Sequence, residues 1–299
     1  MSDKTTIERV AVIGAGTMGA QIAQQTALHG FTVRLFDNEP TQLDQAVASN
    51  RMHLLRRLEK GKLGAAEAEQ ALARVIPCDT LLSAAGDADL VIEAVVEDVD
   101  VKRMTFAELD RLAPSTAILA TNSSTITVSE ITADLPGCKR TLALHFFNPV
   151  LVMRLVEIAP APYTDPTFLI AAEQFTRAID REPVVMQQEV TGLLVNRVLW
   201  ALRREAMRLA DNGYAEPQEI DRAIKLGLNH PMGPFELADF NGLDVVLRAQ
   251  SHRFARSGDE ADRPSRILEA LVEQGHLGRK SGRGFYDYVE QNNIDKEAS

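Results

Sequence analysis

The chain contains little cysteine. Its 299 residues include only Cys78 and Cys138, and neither belongs to a CxxC motif or to a cluster of histidine and cysteine. Isolated thiols are typical of reduced proteins, and they argue against a disulfide framework or a zinc site. We therefore expect a cytoplasmic protein with two free cysteines and no bound metal.

Long apolar runs and an excess of positive charge are also absent. No apolar stretch reaches the roughly 18 residues that a membrane-spanning helix needs. Residues 1–6 lack the basic and then apolar layout of a signal peptide. The net charge of −10 opposes binding to nucleic acid, because phosphate groups require a basic surface. We expect neither a membrane nor a nucleic acid as a partner, although a local basic patch could still bind a small anionic substrate.

Apolar segments that predict buried strands alternate with helical segments in the first part of the chain. The predicted strands are 7–13, 31–36, 89–95 and 117–120, and a helix is predicted over 99–112. This alternation predicts an α/β fold with a Rossmann-type, doubly wound parallel sheet that binds ligands at the carboxyl ends of its strands.

Helices dominate elsewhere. A helical hairpin is predicted over about 40–73, with its break near Gly61–Gly64. Beyond residue 188 the apolar spacing is helical, and no strand is expected between 190 and 280. We therefore predict two domains, a nucleotide-binding domain over 1–188 and a smaller all-helical domain over 189–299.

A glycine-rich motif follows the first predicted strand and precedes a helix. Its residues are Gly14, Ala15, Gly16, Thr17, Met18 and Gly19. Gly14 permits a tight turn, Gly16 lets the backbone approach a pyrophosphate, and Gly19 lets the helix pack closely on the sheet. The positive end of the helix then faces the phosphates. Because the strand and the helix are both in place, we interpret the motif as a dinucleotide site and not as a glycine-rich turn without a ligand.

An acidic residue, Asp37, ends the next predicted strand. Its carboxylate can accept hydrogen bonds from both ribose hydroxyls of an adenosine, and it would repel a 2′-phosphate. The following residues, 38–40, supply no arginine that could bind such a phosphate. The sequence therefore predicts NAD as the cofactor, in preference to NADP.

A histidine and a glutamate lie in two apolar runs, His145 in the first and Glu157 in the second, with Asn148-Pro149 as a turn between them. If the runs pair as an antiparallel hairpin, the two side chains face each other. A carboxylate beside an imidazole fixes its tautomer and makes it a better base. The alternative is a buried structural histidine bonded to backbone.

Several motifs together resemble the L-3-hydroxyacyl-CoA dehydrogenase family, including the 3-hydroxybutyryl-CoA dehydrogenases. Besides the glycine motif, they are Asn122-Ser123-Ser124, His145-Phe146-Phe147-Asn148-Pro149, Gly192-Leu193-Leu194-Val195-Asn196-Arg197, Pro231-Met232-Gly233-Pro234, and the segment from Gly278 to Tyr288. The resemblance runs in order from about residue 8 to residue 288, nearly the whole chain. It implies NAD-dependent oxidation of a 3-hydroxyacyl-CoA, with fatty acid metabolism as the setting and a homodimer formed through the helical domain.

The resemblance also implies roles for individual residues. His145 would be the general base and Glu157 its partner, while Ser124 and Asn196 would bind the reacting oxygen of the substrate. Asn148 would lie near the nicotinamide and help to position the base. The implied cofactor contacts are the glycine motif, including Thr17 and Met18, together with Asp37, Glu97, Lys102, Ser124 and Asn148. For Lys102 the alternative is an exposed lysine at the start of a helix.

A cluster of basic residues lies in the predicted hairpin. Its members are Arg51, Arg56, Arg57, Lys60 and Lys62. In the resembled family this hairpin contacts coenzyme A, which makes Arg51, Arg56 and Lys60 candidates for substrate binding. A solvated helix face remains the equal alternative.

The chain departs from the family pattern just before Asn196. Thr191 stands in place of the usual proline and Leu193 in place of phenylalanine. These changes leave the acyl-chain preference open. Two other functions also remain open: a dehydrogenase of a free hydroxy acid, of the gulonate or carnitine type, and a non-catalytic NAD-binding protein.

Overall fold

A computed structural model of the protein describes residues 7–288. These residues divide into two compact units, one ending at Leu194 and the other beginning at Val195. The division lies slightly beyond the boundary at 188/189 expected from the sequence. Each unit has its own hydrophobic core. Among the described residues, no helix combines the length and the apolar character needed to cross a membrane.

The first unit is built on one eight-stranded sheet. Its strands are β1 (Arg9–Ile13), β2 (Thr32–Phe36), β3 (Val75–Cys78), β4 (Leu90–Glu93), β5 (Ile118–Thr121), β6 (Thr141–Phe146), β7 (Leu155–Pro160) and β8 (Glu182–Val185). Their order in the sheet is β3-β2-β1-β4-β5-β6-β7-β8. Neighbouring strands are parallel except β6 and β7, which are antiparallel.

Helices cover both faces of this sheet and form the second unit. In the first unit they are α1 (Thr17–Leu28), α2 (Pro40–Glu59), α3 (Ala65–Arg74), α4 (Leu81–Ala85), α5 (Val99–Leu112), α6 (Val128–Thr132) and α7 (Pro166–Ala178). In the second unit they are α8 (Val195–Asp211), α9 (Pro217–Leu228), α10 (Pro234–Asn241), α11 (Leu243–Ser257) and α12 (Arg266–Glu273). The predicted fold class is therefore confirmed.

Strand β1 is continuously apolar because both of its faces are buried. Val10 and Val12 belong to the core on one face of the sheet, and Ala11 and Ile13 belong to the core on the other. All four side chains are buried, as expected for a central parallel strand covered by helices on both sides. Strands β3 and β8 lie at the two edges of the sheet and are largely exposed, and the sequence analysis did not identify either of them.

Two glycines of the glycine-rich motif are required by close backbone contacts. Gly14 has φ +100°, and a Cβ there would lie 2.5 Å from the carbonyl oxygen of Ala94. A Cβ on Gly19 would lie 1.8 Å from the carbonyl oxygen of Gly14. A larger residue at Gly14 would collide with the backbone that follows β4, and one at Gly19 would push α1 away from the glycine turn.

In the helical unit, two buried aspartates bind the segment that follows α12. Asp221 accepts hydrogen bonds from the amides of Phe235 (2.9 Å) and Glu236 (2.8 Å) and from the hydroxyl of Tyr286 (2.8 Å). The buried carboxylate thus joins α9, the start of α10 and this segment.

The second aspartate, Asp239, makes a similar set of contacts. It accepts from the amides of Phe285 and Tyr286 and from the Tyr288 hydroxyl, each at 3.0 Å. A Cβ on Gly284 would lie 2.1 Å from an Asp239 carboxylate oxygen. The contacts of Asp221 and Asp239 explain Gly284, Tyr286 and Tyr288 of the 278–288 motif. We call these two carboxylates and their tyrosines the aspartate–tyrosine clamp.

Removal of one tyrosine hydroxyl should weaken the clamp. We expect Tyr286→Phe to lower the free energy of unfolding of the helical unit by about 1.5–3 kcal/mol at pH 7, the usual value for a hydrogen bond to a charged group. Urea titration followed by circular dichroism measures the loss. Tyr214→Phe is the control, since Tyr214 is 75% exposed in the same unit.

The decrease in the free energy of unfolding caused by Tyr286→Phe should depend on pH. Burial and the neighbouring Asp221 carboxylate raise the pKa of Tyr286 above the ordinary value of about 10. The fold favours the neutral hydroxyl of Tyr286. The extra free energy of unfolding that the wild type has over Tyr286→Phe is therefore complete below about pH 10, and it is lost as the pH rises through the higher pKa of Tyr286 in the folded state. Equal stability of the wild type and the variant at pH 7 would contradict the clamp.

Candidate active site

The antiparallel pair β6–β7 places the predicted histidine and glutamate side by side. His145 and Glu157 are directly opposite each other in the register. The imidazole Nδ1 lies 2.9 Å from Glu157 Oε2, and both side chains are buried. The hairpin proposed from the sequence is thus present, with the two residues facing each other.

The Glu157 carboxylate is bound at both of its oxygens. Oε2 faces His145, while Oε1 accepts a hydrogen bond from the backbone amide of Leu194 at 3.0 Å. A carboxylate in this position accepts a hydrogen bond from Nδ1–H and leaves Nε2 as the basic nitrogen of the ring. The ring also packs edge-on against Phe147, with centroids 4.6 Å apart, which further restricts its orientation.

A serine lies on the other side of the imidazole. Ser124 Oγ is 3.1 Å from His145 Nε2, so Ser124, His145 and Glu157 form one hydrogen-bonded series. Ser124 follows β5, the strand next to β6 in the sheet. Asn122, also just past β5, accepts a hydrogen bond from the amide of Phe146 at 2.8 Å and ties the ends of the two strands together.

Glu97 fixes the loop that carries Ser124. Its Oε1 accepts from Ser123 Oγ (2.7 Å), Ser124 N (3.0 Å), Thr125 N (2.9 Å) and Thr125 Oγ1 (2.8 Å). Burial alone would raise the pKa of Glu97, but the nearby Lys102 ammonium and the hydrogen bonds from Ser123 and Thr125 outweigh it and lower the pKa below its ordinary value. The carboxylate is therefore ionised at neutral pH and binds four donors of the loop.

Lys102 is buried, so the alternative of an exposed helix lysine is wrong. Its Nζ lies 2.7 Å from Glu93 Oε1 and 3.4 Å from Glu97 Oε2, and its side chain is only 1% exposed. Glu93 also accepts from Thr121 Oγ1 at 2.7 Å. Burial raises the pKa of Glu93 despite the adjacent ammonium. The sequence analysis missed Glu93 and Thr121, although a glutamate ending an apolar strand was a possible signal.

The glycine-rich motif leaves space where a pyrophosphate would be expected. A Cβ on Gly16 would meet nothing within 4 Å. Thr17 and Met18 begin α1, whose first turn has no acidic residue and no capping side chain in the structure as described. Free amides at an uncapped helix N-terminus form an anion site, so this loop fits a dinucleotide.

Asp37 lies beside the same loop. Its Oδ2 accepts from the amide of Ala15 at 2.6 Å, and its Oδ1 accepts from the amide of Glu39 at 2.9 Å. Each carboxylate oxygen still has a second lone pair for a ribose hydroxyl. The carboxylate is therefore oriented by backbone next to the position of the expected adenosine.

The remaining predicted residues lie on other segments of the chain. Asn148 is exposed and precedes a cis peptide bond to Pro149. The basic candidates Arg51 and Arg56 are exposed on α2, and Lys60 is exposed at its C-terminal end. Asn196 is half-buried in the first turn of α8, in the second unit.

A small recess opens beside Ser124. It is lined by the loop from Ser123 to Val128 and by Ala143, Ala159, Glu189, Val190, Gly192 and Leu193. Leu193 is buried and has a left-handed backbone, with φ 47°. One of the residues that depart from the family pattern thus borders the same recess as Ser124.

Comparison with known proteins identifies the family. The family model for the NAD-binding domain of 3-hydroxyacyl-CoA dehydrogenase matches residues 9–190, and the model for the C-terminal domain matches residues 192–288. A probable 3-hydroxybutyryl-CoA dehydrogenase of Bacillus subtilis (strain 168) is 39% identical over 285 residues, which cover 95% of this chain and 99% of that protein.

Solved structures agree with this assignment. The (S)-3-hydroxybutyryl-CoA dehydrogenase of Ralstonia eutropha has a TM-score of 0.87 and 36% identity, and the match covers 95% of this chain and 100% of that one. A diketoreductase that acts on dicarbonyl compounds has a TM-score of 0.85 and 36% identity, covering 94% and 99%. With both domains matched in order and a full-length relative at 39% identity, the chain belongs to the 3-hydroxyacyl-CoA dehydrogenase family.

Proposed function

We propose that the protein catalyses the reversible NAD-dependent oxidation of an L-3-hydroxyacyl-CoA to the 3-ketoacyl-CoA, with a short-chain substrate such as 3-hydroxybutyryl-CoA. The observation that carries the proposal is the hydrogen-bonded series of Ser124, His145 and Glu157. A secondary alcohol must lose its hydroxyl proton as hydride leaves the same carbon. A base oriented by a carboxylate is suited to accept that proton.

His145 would act through Nε2. The hydroxyl O–H bond breaks, an N–H bond forms at Nε2, and the resulting imidazolium is stabilised by the ionised Glu157. Because Glu157 is also bonded to the Leu194 amide, its orientation does not change as the proton moves. In the reverse direction the imidazolium returns the proton to the oxygen of the ketone.

Ser124 would bind the reacting oxygen with its hydroxyl. Its backbone amide already donates to Glu97, so only Oγ is available for the substrate. Asn196 would supply a second contact to this oxygen, as the family resemblance implies. Donors at this position stabilise the carbonyl oxygen in both directions of the reaction.

NAD, when bound, supplies the hydride acceptor at C4 of its nicotinamide. We propose that Gly16 and the first turn of α1 bind its pyrophosphate and that Asp37 binds the ribose of its adenosine. Glu97 and Asn148 would face the nicotinamide end. The burial of Lys102 favours a role through Glu97 over a direct contact with the cofactor.

Coenzyme A would be bound through its phosphates. The exposed Arg51, Arg56 and Lys60 on the α2 segment offer a positive surface for them. A solvated helix face remains the alternative for these residues, and a substrate without phosphates separates the two interpretations.

One of the similar proteins points to a different class of substrate. The diketoreductase is as similar in sequence as the R. eutropha enzyme, and its substrates are dicarbonyl compounds. A free hydroxy acid is the related alternative, whereas a non-catalytic NAD-binding protein would have no need of the oriented imidazole. Comparison of a thioester with the free acid distinguishes these functions.

Assembly and location belong to the same proposal. We propose a homodimer formed through the helical unit, where Val198 of α8 is 70% exposed, and a cytoplasmic location with a role in fatty acid metabolism. Sedimentation at micromolar concentration tests the dimer, and a monomer alone would contradict it.

The reaction class can be tested directly. We expect rapid oxidation of NADH with acetoacetyl-CoA and little with free acetoacetate or with NADPH, followed by absorbance. His145→Gln should lower kcat by about 100- to 10,000-fold, the usual contribution of a general base, and leave NADH binding intact. His252→Gln on the exposed surface of α11 is the matched control.

The outcomes of this assay separate the substrate from the base. Turnover of His145→Gln close to that of the wild type would remove the role of His145. Tight NADH binding without turnover of the thioester would contradict the proposed substrate. Longer acyl-CoAs, dicarbonyl compounds and free hydroxy acids would then be compared as substrates.

The charge of Glu157 can be separated from its size. Glu157→Gln should lower kcat and move the acidic limb of the pH–rate profile to lower pH, because the imidazolium loses the neighbouring negative charge. Glu182→Gln, at an exposed position on β8, should change neither quantity. An unchanged rate and profile for Glu157→Gln would refute the pairing as a catalytic device.

The role of the basic residues on the α2 segment can be tested by comparing two substrates. Replacement of Arg51, Arg56 and Lys60 by glutamine should raise KM for acetoacetyl-CoA about tenfold, the effect of losing roughly 1.4 kcal/mol of binding, and leave KM for acetoacetyl-pantetheine unchanged. Arg111→Gln, on the exposed end of α5, is the control. Equal KM values for the triple variant and the wild type would favour the solvated face.

A further inference from the structure

A second site of a different character lies in the helical unit. Helices α8 and α11 border a small recess, with space for about one water molecule or one small ion. Its lining residues are Trp200, Arg203, Val246, Ala249, Gln250 and Arg253. None of them belongs to the motifs that identify the dehydrogenase site.

Arg203 lines this recess, and its side chain is buried, with 7% of the residue exposed. In the part of the chain that the structure describes, neither Nε nor Nη2 has a hydrogen-bond acceptor. Within residues 7–288, the guanidinium forms no ion pair with a carboxylate. A buried, unpaired guanidinium is costly, because it loses hydration and receives no compensating charge.

A second guanidinium increases the positive charge. Arg253 lines the same recess, its Nε has no acceptor, and its guanidinium lies 5.2 Å from the centre of the Trp200 ring. Its Nη2 pairs with Asp262 at 3.0 Å, but Asp262 also lies 3.5 Å from Arg204 Nη1. One carboxylate therefore faces two arginines and leaves Arg203 uncompensated.

The protonation of Arg203 agrees with this geometry. Burial and the neighbouring Arg253 lower the pKa of Arg203 to about 10. The side chain is still cationic at neutral pH. An anion in the recess would relieve both the lost hydration and the repulsion between the two guanidinium groups.

We propose that this recess binds a small monatomic anion, a halide such as chloride, at Nε and Nη2 of Arg203 and beside Arg253. Nε and Nη2 form one edge of the guanidinium, and their N–H groups can donate two converging hydrogen bonds to a halide. Trp200 and Val246 form an apolar wall. The size of the recess excludes larger organic anions.

Gln250 offers the competing explanation. Its Oε1 also has no donor, while its Nε2 faces the Met207 sulfur at 3.4 Å. If the amide oxygen instead turned to Arg203, the guanidinium would gain an acceptor from the protein and would need no anion. The two explanations differ in their response to added salt.

Trp200 makes binding directly measurable, because it is the only tryptophan in the chain. We would titrate the protein, free of NAD and substrate, with sodium chloride and follow Trp200 fluorescence and Tm. Sodium gluconate keeps the ionic strength constant, and its anion is too large for the recess. We expect a saturable change with chloride that gluconate alone does not produce, with a rise in Tm over the same concentration range.

Two arginines of α8 provide a matched pair of variants. Arg203→Met should weaken the anion response by about tenfold or more, and its Tm in gluconate should equal or exceed that of the wild type, because a buried unpaired charge has been removed. Arg208→Met should keep the response, since Arg208 is exposed and pairs only with Glu205 on the surface.

The same measurements can overturn the proposal. A linear, non-saturating change, or identical curves in chloride and gluconate, would mean that no anion binds. If Gln250→Leu were less stable than the wild type, and the wild-type fluorescence were the same in all salts, the acceptor of Arg203 would be the Gln250 side-chain oxygen. A wild-type signal that depends on protein concentration and not on the anion would assign the acceptor to a second copy of the chain. If Arg203→Met fails to fold, the wild-type titration alone decides.

Discussion

The site depends on one buried carboxylate. Glu157 has two oxygens with separate partners, the imidazole of His145 on one side and the backbone amide of Leu194 on the other. A buried carboxylate of this kind is tolerated only when its lone pairs are used. The same contacts offset the free-energy cost of burying Glu157 in the sheet, and they also fix the tautomer and orientation of His145. The burial of Glu157 and the orientation of His145 therefore rest on the same hydrogen bonds, and the antiparallel pairing of β6 and β7 brings the two side chains together.

A second set of charged groups, of which Glu93 and Lys102 are buried, orients the opposite side of the imidazole. Lys102 lies between Glu93 and Glu97, and Glu97 in turn binds the loop of Ser124. Ser124 then reaches His145. The imidazole thus has a hydrogen-bonded neighbour at each nitrogen, and each neighbour is fixed by an ionised side chain or by backbone. Such support keeps the reacting groups within the small tolerances that proton transfer requires.

The sequence specified those features that local pattern controls. The strand–glycine turn–helix unit and the pairing of His145 with Glu157 followed from periodicity and spacing, and the fold class followed from the alternation of strands and helices. Edge strands β3 and β8 could not be predicted, because exposed strands lack a periodic apolar signal. Lys102 was ambiguous for a related reason: whether a lysine is buried depends on a partner such as Glu93, which only the packing of α5 on the sheet brings close. The roles of the individual site residues in the reaction stay predictions.

The aspartate–tyrosine clamp has a consequence for how the chain is made. Asp221 and Asp239 depend on donors from residues 285–288, which come after every helix of the unit. A ribosome has therefore released α8 to α12 before the buried carboxylates can receive their full set of hydrogen bonds. The first unit is synthesised earlier: its strands are complete by residue 185, and the Leu194 amide that binds Glu157 lies at its end. Synthesis thus separates the two units in time, with the first able to fold while the second still waits for its closing segment.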